Sequence, residues 1–197
     1  PIHKTGYRQL SLCVYRFTIR LDVSIHRPDS PFLNQQIDTQ LLRACAEEFC
    51  RLFQGSDVTK VLTVEASGIA IATATAMCLG VPFVFAKKTK TNNISGDVYS
   101  ADAYSYTHNT ANTVIVPCTY LSESDKVLIV DDFLARGEAV GALADICDKA
   151  GAEIVGAGIL IEKSFQSGRG ILEKRGIRVE SLARVSKLDP ISGVAFL

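Results

Sequence analysis

Short runs of consecutive apolar residues alternate along this chain with segments whose apolar residues have helical spacing. Four runs are typical of strands buried on both faces of a parallel sheet: Val61–Val64, Pro82–Ala86, Val127–Val130 and Ile154–Ile161. The segments with helical spacing or small residues predict helices from Asp38 or Thr39 to about Phe53, after Glu65–Ile69, from Val140 to Ala150, and from Gly168 to Arg175. This alternation predicts an α/β fold with a mostly parallel central sheet and helices on both faces.

The segment Ala66–Ala86 carries no charged residue and is long enough to suggest a membrane span. However, Gly80 and Pro82 divide it into a helix and a following strand. We therefore expect a buried helix of an α/β core and no membrane partner.

The first thirty residues have a different pattern from the rest of the chain. Between Cys13 and Ile25 every odd-numbered residue is apolar, which predicts a half-buried strand. Residues 1–21 contain lysine and arginine but no acid, as transit peptides do, but the alternation favours the strand. The turn residues of Arg27–Pro31 then divide the chain into an N-terminal segment, 1–30, and one domain predicted over 31–197.

Composition indicates a folded chain without the charge expected of a nucleic-acid-binding protein. Of the 197 residues, 47% are hydrophobic, and 21 basic and 21 acidic residues give a formal net charge of zero. We therefore expect no nucleic-acid partner. The six cysteines form no CxxC pattern and have no histidine at metal-ligand spacing. We expect them to be reduced, buried side chains of a cytoplasmic protein, without a zinc site.

The stretch from Lys126 to Ala139 has the strongest chemical pattern. Its apolar run ends at two carboxylates, Asp131 and Asp132, and a short loop of small residues then leads into a helix. Ligands bind at the carboxyl ends of parallel strands, where such a loop offers backbone N–H groups to an anion. Two carboxylates would repel a phosphate but can accept hydrogen bonds from sugar hydroxyls, so a ribose 5-phosphate fits both halves of the motif. The alternative, with about even odds for an isolated motif, is that the pair only ends a strand and caps a turn.

Polar residues near the other predicted strands also have two explanations each. Glu65–Gly68 is a turn of small residues that either approaches an anion closely or simply joins a strand to a helix. The lysines after residues 82–86 either neutralise a polyanion or form a solvated edge. The polar segment Thr91–Asn112 is a mobile lid or an exposed hairpin. Asn34 carries both a hydrogen-bond donor and an acceptor and could contact a ligand or cap a loop, and Lys163 could contact a ligand or lie on the surface.

These segments, taken together and in order, resemble one family. Asp131–Ala139 resembles the phosphoribosyl pyrophosphate (PRPP) motif of type I phosphoribosyltransferases, in the variant Asp-Asp-Phe-Leu-Ala-x-Gly-x-Ala that is similar to that of bacterial xanthine phosphoribosyltransferases. Phe32–Asp38 resembles the family's Phe-Leu-Asn-His-Gln-Ile-Asp hood segment, and Glu162–Phe165 matches its Glu-Lys-Ser-Phe. Glu65–Ile69 is similar to its pyrophosphate loop, Glu-Ser-Ser-Gly-Ile, and the resemblance spans residues 30–196.

The chain departs from the family pattern at three places. Lys87 stands where the family has an arginine, and it lacks the bidentate guanidinium fork. The family reads Ala-Asn-Gly-Gln-Ala where this chain has Arg136 and Glu138, so Glu138 places a carboxylate in a loop expected to face a phosphate. The family's apolar contact upstream of Asn34 also has no counterpart.

The resemblance implies a type I phosphoribosyltransferase fold with a small hood near residues 32–38. It implies transfer of a ribose 5-phosphate group from PRPP to a 6-oxopurine, xanthine before others, giving xanthosine monophosphate (XMP) and pyrophosphate in purine salvage. Two alternatives stay open: a degenerate, weakly active homologue, and a PRPP-sensing regulator of the same fold that does not catalyse. The roughly thirty residues before the match are too few for a typical winged helix, which argues against the regulator.

The resemblance also assigns roles to residues of this chain. Asp131 and Asp132 hold the ribose as the catalytic pair, and Asn34 and Lys163 read the purine. The residues that contact PRPP phosphates are Ala135, Arg136, Gly137, Glu138 and Ala139 for the 5-phosphate, and Glu65, Ser67, Gly68 and Lys87 for the pyrophosphate. Mg²⁺ is expected as a cofactor, bound mainly through PRPP and with no direct protein ligand. A homodimer is expected as well.

Overall fold

The computed structural model describes residues 36–88, 96–105, 110–189 and 193–197. The helices are α1 (Thr39–Leu52), α2 (Gly68–Leu79), α3 (Glu138–Ala150) and α4 (Gly168–Lys174), with a short 3-10 turn at Cys118–Tyr120. The strands are β1 (Lys60–Val64), β2 (Phe83–Ala86), β3 (Val98–Ser105), β4 (Thr110–Pro117), β5 (Lys126–Leu134), β6 (Glu153–Lys163), β7 (Val179–Asp189) and β8 (Gly193–Phe196). The predicted strand at 13–25, the residue Asn34 and most of the hood segment lie outside the described residues.

The central sheet has six strands in the order β2-β1-β5-β6-β7-β8. The neighbouring strands β2, β1, β5, β6 and β7 are all parallel, and β8 runs antiparallel to β7. The antiparallel hairpin β3–β4 stands apart from this sheet and is joined to it by a bridge between Lys87 and Ile115. Because the parallel strands share one direction, the loops that follow β1, β2, β5 and β6 meet along one edge of the sheet.

Helices cover both faces of the sheet, each over its own apolar cluster. On one face α3 packs on alternate residues of β1 and β5, among them Leu62 and Ile129. On the other face α1 and α2 pack on the residues between, among them Val61 and Leu128. The predicted mostly parallel sheet with helices on both faces is therefore confirmed.

Two element boundaries differ from the prediction in ways that matter for the site. The sequence places Asp131 and Asp132 after a strand, but β5 continues to Leu134 because β6 pairs with it as far as Glu162. The segment Arg178–Arg184 predicts the last strand of the sheet from the sequence, whereas Gly193–Phe196 adds β8 along the last part of β7. The acidic pair is thus part of the sheet and not of a loop.

The predicted helix ends and the division of the uncharged segment are confirmed. The Asp38 carboxylate caps α1 by accepting hydrogen bonds from the backbone N–H groups of Gln40 and Leu41. Gly80 ends α2 in the left-handed conformation, and β2 follows, as the sequence predicts. In the described part of the chain, every helix is too short or too polar to cross a membrane.

Candidate active site

The acidic pair lies buried at the carboxyl end of β5. Asp131 is 4% exposed and Asp132 is 8% exposed, and the Asp132 backbone N–H donates a 3.0 Å hydrogen bond to Asp131 Oδ1. Burial, followed by the charge of Asp132, raises the pKa of Asp131 well above its usual range, while the nearby Lys88 ammonium lowers it. A buried carboxylate without hydrogen-bond donors is destabilising, and sugar hydroxyls are donors that can fill this role.

The loop after β5 is shaped by contact between two backbone segments. Gly137 precedes α3 with a φ of 87°, and the Gly168 N–H donates a 3.1 Å hydrogen bond to the Ala135 carbonyl. A Cβ on Gly168 would lie 2.6 Å from that carbonyl oxygen and 3.0 Å from the Gly137 nitrogen. The start of α4 therefore supports the loop from behind. The predicted phosphate-binding segment, residues 135–139, combines this loop with the first turn of α3, where free N–H groups attract an anion.

Arg136 and Glu138, the two departures from the family motif, differ in their surroundings. Arg136 is exposed, whereas Glu138 is half-buried as the first residue of α3. A carboxylate in the first turn of a helix is stabilised by the helix dipole. Glu138 therefore has a favourable position in the free protein, at the end of the helix where a phosphate would bind.

The loop after β1 is tied to both β2 and the acidic pair. Glu65 Oε1 accepts a 2.6 Å hydrogen bond from the Lys88 N–H, and the peptide bond between Glu65 and Ala66 is cis. Gly68, the first residue of α2, packs so closely that a Cβ would lie 2.9 Å from Asp131 Oδ1 and 2.2 Å from Thr63 Oγ1. The first turn of α2 contains no acidic residue to occupy its N–H groups. This loop and the acidic pair are therefore packed directly against each other.

Thr63 is a polar residue next to Gly68 that the sequence analysis missed. Its side chain is completely buried, and its hydroxyl has no hydrogen-bond partner among the residues that the structure describes. Its position inside an apolar strand gives no signal in the sequence, because a buried threonine in a strand is ordinary.

Of the lysines after β2, the structure brings Lys88 as well as Lys87 to the site. The backbone of Lys87 exchanges hydrogen bonds of 3.0 and 2.9 Å with Ile115 of the hairpin, so this residue also anchors β4. Lys88 is exposed, and its positive charge lowers the pKa of Asp131. The sequence analysis selected Lys87 alone on the family pattern, although the run of lysines already contained the second candidate.

Lys163 lies at the end of β6 beside an exposed aromatic ring. Its Nζ is 5.9 Å from the centroid of Phe133, a distance compatible with a cation–π interaction. Phe133 is 42% exposed although it lies between buried residues of β5. An apolar ring next to a cation offers a stacking surface and a polar contact for a planar, oxygen-bearing ligand. The sequence analysis did not single out Phe133.

Glu162, the residue before Lys163, is the centre of a buried ionic network that the sequence analysis also missed. It is 1% exposed. Its carboxylate accepts hydrogen bonds from the side chains of Arg169, Arg184, Ser164 and Ser181. Although burial raises the pKa of Glu162, the hydrogen bonds from Arg169 and Ser181 outweigh it and lower the pKa to about 2. The network joins the end of β6 to α4 and β7.

The described residues offer no complete protein site for a metal ion. Among them, no group of three or more histidine, cysteine, aspartate or glutamate side chains is placed to hold one. The two buried carboxylates fit Mg²⁺ chemistry only in combination with oxygen atoms from a ligand or water.

Comparisons with known proteins agree with this geometry. The model of the phosphoribosyl transferase domain matches residues 32–176. The chain therefore belongs to the phosphoribosyltransferase family, and its fold is the type I fold of these enzymes. It is 49% identical over 177 residues to the xanthine phosphoribosyltransferase of Brevibacillus brevis, which covers 90% of this chain and 89% of the relative. It is 52% identical over 157 residues to the xanthine phosphoribosyltransferase of Bacillus licheniformis, covering 80% of this chain and 81% of the relative.

Solved structures with the same fold include adenine phosphoribosyltransferases. The enzyme from Giardia lamblia, solved with 9-deazaadenine, has a TM-score of 0.67 and 28% identity, covering 75% of this chain and 81% of that one. The adenine phosphoribosyltransferase of Thermoanaerobacter pseudethanolicus has a TM-score of 0.66 and 24% identity, covering 75% and 82%, and shows the fold alone. These relatives are all enzymes, so the comparisons lend no support to the non-catalytic regulator.

Proposed function

We propose that this protein transfers the ribose 5-phosphate group of PRPP to a 6-oxopurine, with xanthine as the preferred base, giving XMP and pyrophosphate in purine salvage. The observation that carries the proposal is the buried Asp131–Asp132 pair, together with the N-termini of α2 and α3, neither of which has a hydrogen bond from a side-chain cap among the described residues. PRPP has the matching arrangement, a ribose between a 5-phosphate and a diphosphate.

In this proposal each part of PRPP is bound by one of the loops at the sheet edge. Asp131 and Asp132 accept hydrogen bonds from the ribose hydroxyls. The loop of residues 135–139, supported by Gly168, binds the 5-phosphate through its backbone N–H groups. Glu65–Gly68 positions the diphosphate. Lys87 and Lys88 supply positive charge to it.

Catalysis then depends on position and charge more than on covalent chemistry. A purine nitrogen attacks C1 of the ribose while pyrophosphate departs, and the transition state resembles an oxocarbenium ion. The buried carboxylates lie where this positive charge develops. Mg²⁺, bound through PRPP oxygens and water, would neutralise the departing diphosphate. We expect the polar segment Thr91–Asn112 to close over PRPP and exclude water.

The base is proposed to lie against Phe133, with Lys163 reading an exocyclic oxygen. A lysine ammonium can only donate hydrogen bonds, so it favours an oxo group over an amino group. This preference agrees with the xanthine phosphoribosyltransferases that are about half identical to this chain, and not with the more distant adenine enzymes. Asn34 is proposed to read the opposite purine edge. A cytoplasmic homodimer remains part of the proposal.

The proposal is tested by measuring pyrophosphate release and nucleotide formation with PRPP, Mg²⁺ and each of xanthine, guanine, hypoxanthine and adenine. We expect xanthine to have the highest kcat/KM. A clear preference for adenine would overturn the assignment of a 6-oxopurine. If no pyrophosphate is released with any of the four bases, the proposed enzymatic activity is wrong.

Variants then test the ribose-binding and purine-binding residues separately. Asp132→Asn should abolish turnover, whereas Asp57→Asn, at an exposed loop position, should leave it unchanged. Lys163→Gln should raise the KM for xanthine more than the KM for PRPP. Lys174→Gln, at the exposed end of α4, is the matched control and should change neither.

A further inference from the structure

Cys50 and Cys78 lie close together where α1 packs against α2. Cys50 lies in the last turn of α1, and its Sγ is 3.9 Å from the carbonyl oxygen of Thr75 in α2. Cys78 follows Thr75 by three residues and so lies on the same side of α2. Cys78 is also close enough to raise the pKa of Cys50. Two cysteines that are distant in the sequence are thus neighbours in the fold.

This pair differs from the other cysteines of the described residues in its access to solvent. Cys78 is exposed and Cys50 is half-buried, whereas Cys45 and Cys147 are buried inside the core. Cys118 is half-buried on a different element, the 3-10 turn. The expectation that the cysteines are buried small hydrophobes is therefore wrong for Cys78, whose thiol can meet a small oxidant.

We propose that Cys50 and Cys78 form a reversible disulfide when the protein meets a peroxide. The Cys78 sulfur attacks one peroxide oxygen, the O–O bond breaks, and Cys78 becomes a sulfenic acid while one water leaves. The Cys50 sulfur then attacks the Cys78 sulfur, the S–O bond breaks, and the departing hydroxide takes the Cys50 proton as a second water. Two thiols are oxidised to one disulfide, and the peroxide is reduced to two waters.

The surroundings of the two thiols determine which of them reacts with peroxide first. Burial, followed by the neighbouring Cys78 and then the carboxylate of Glu47, raises the pKa of Cys50 to about 12. Cys50 therefore stays a thiol and does not react first with peroxide. Cys78 is the exposed thiol that peroxide can reach, and Cys50 is the neighbouring thiol that then attacks the sulfenic acid.

The bond would close a covalent ring around part of the active site. The segment from Cys50 to Cys78 contains β1, the Glu65–Gly68 loop and most of α2. Closing this ring restricts the unfolded chain. Oxidation should therefore raise the melting temperature of the protein.

The experiment treats the full-length protein with hydrogen peroxide, blocks the remaining thiols with iodoacetamide, and maps the linked peptides by mass spectrometry. We expect a Cys50–Cys78 linked peptide that dithiothreitol removes, and a higher melting temperature for the oxidised protein. Cys50→Ser and Cys78→Ser should each abolish the linked peptide and the shift in melting temperature, whereas Cys118→Ser should keep both.

Two outcomes would overturn the proposal. One is that Cys78 is oxidised to sulfenic or higher acids while no Cys50–Cys78 linkage forms. The other is that both thiols stay reduced at peroxide concentrations that oxidise free cysteine. Since both residues lie outside the proposed active site, the reduced serine variants should transfer ribose 5-phosphate like the parent protein, which separates this test from that of the proposed function.

Discussion

Replacing Glu162 with glutamine should remove the charge at the centre of the network behind Lys163. The carboxylate accepts hydrogen bonds of 2.6 Å from Arg169 Nη2 and 2.6 Å from Ser181 Oγ, with Arg184 Nε at 3.2 Å. An amide of the same shape cannot accept all of these bonds, and it leaves the arginine charges without their partner. We therefore expect Glu162→Gln to destabilise the fold while conserving the volume of the side chain.

The pKa of Glu162 sets the size of this effect. It falls from the ordinary 4.5 to about 2, and the difference corresponds to about 3 kcal/mol in favour of the ionised carboxylate in the folded state. Because the folded pKa is the lower one, this stabilisation is fully present above pH 4.5 and is lost as the pH falls towards 2. Glu162→Gln should therefore cost about 3 kcal/mol at neutral pH and much less near pH 2.

Urea denaturation of the parent and variant proteins at a series of pH values measures both quantities. Glu173→Gln is the matched control, because Glu173 pairs with the same Arg169 but its side chain is 53% exposed. This control should cost less than about 1 kcal/mol. The reasoning is refuted if Glu162→Gln has the unfolding free energy of the control at neutral pH, or if the parent and the variant lose stability equally between pH 5 and pH 3.

Three further changes test the proposed phosphate-binding parts of the site. Gly168→Ala should press a methyl group against the loop of residues 135–139 and raise the KM for PRPP about tenfold, whereas Gly170→Ala, which meets open space, should leave the KM unchanged. Lys88→Gln removes a charge that lowers the pKa of Asp131, so the acidic limb of the pH profile of kcat/KM for PRPP should move to higher pH; an unmoved limb would contradict this. Glu138→Gln removes a carboxylate from the proposed phosphate site and should lower the KM for PRPP, with a loss of about 0.5 kcal/mol of unfolding free energy from the helix dipole; calorimetry that finds no gain in PRPP affinity would contradict it.

The sheet could be predicted from the sequence because each of these strands has its own run of apolar residues. Val127–Val130 and Ile154–Ile161 are apolar on both faces, and such runs fit only a sheet covered on both sides. Gly80 and Gly151 end helices by adopting positive φ, which is a property of the residue itself. Neither feature depends on a partner that is remote in the sequence.

The extent of β5 and the network of Glu162 could not be predicted in this way, because both depend on remote partners. Asp131 stays in the strand because β6 continues the ladder beside it. Glu162 is buried because Arg169, Arg184 and Ser181 arrive from α4 and β7. β8 was missed for the same reason: Gly193–Phe196 is a strand only because β7 offers it a free edge.

The same distinction between local and remote determinants explains why the departures at Arg136 and Glu138 need not disturb the proposed phosphate loop. The backbone of that loop is set by Gly137 and Gly168, whose contact leaves no room for a Cβ on Gly168. Arg136 is exposed, and Glu138 belongs to the first turn of α3. Substitution at these two positions therefore changes the charge around the anion but leaves the N–H groups that would bind it in place. A weaker enzyme would then result from electrostatic repulsion, which salt screens, and not from a distorted loop, which salt would not repair.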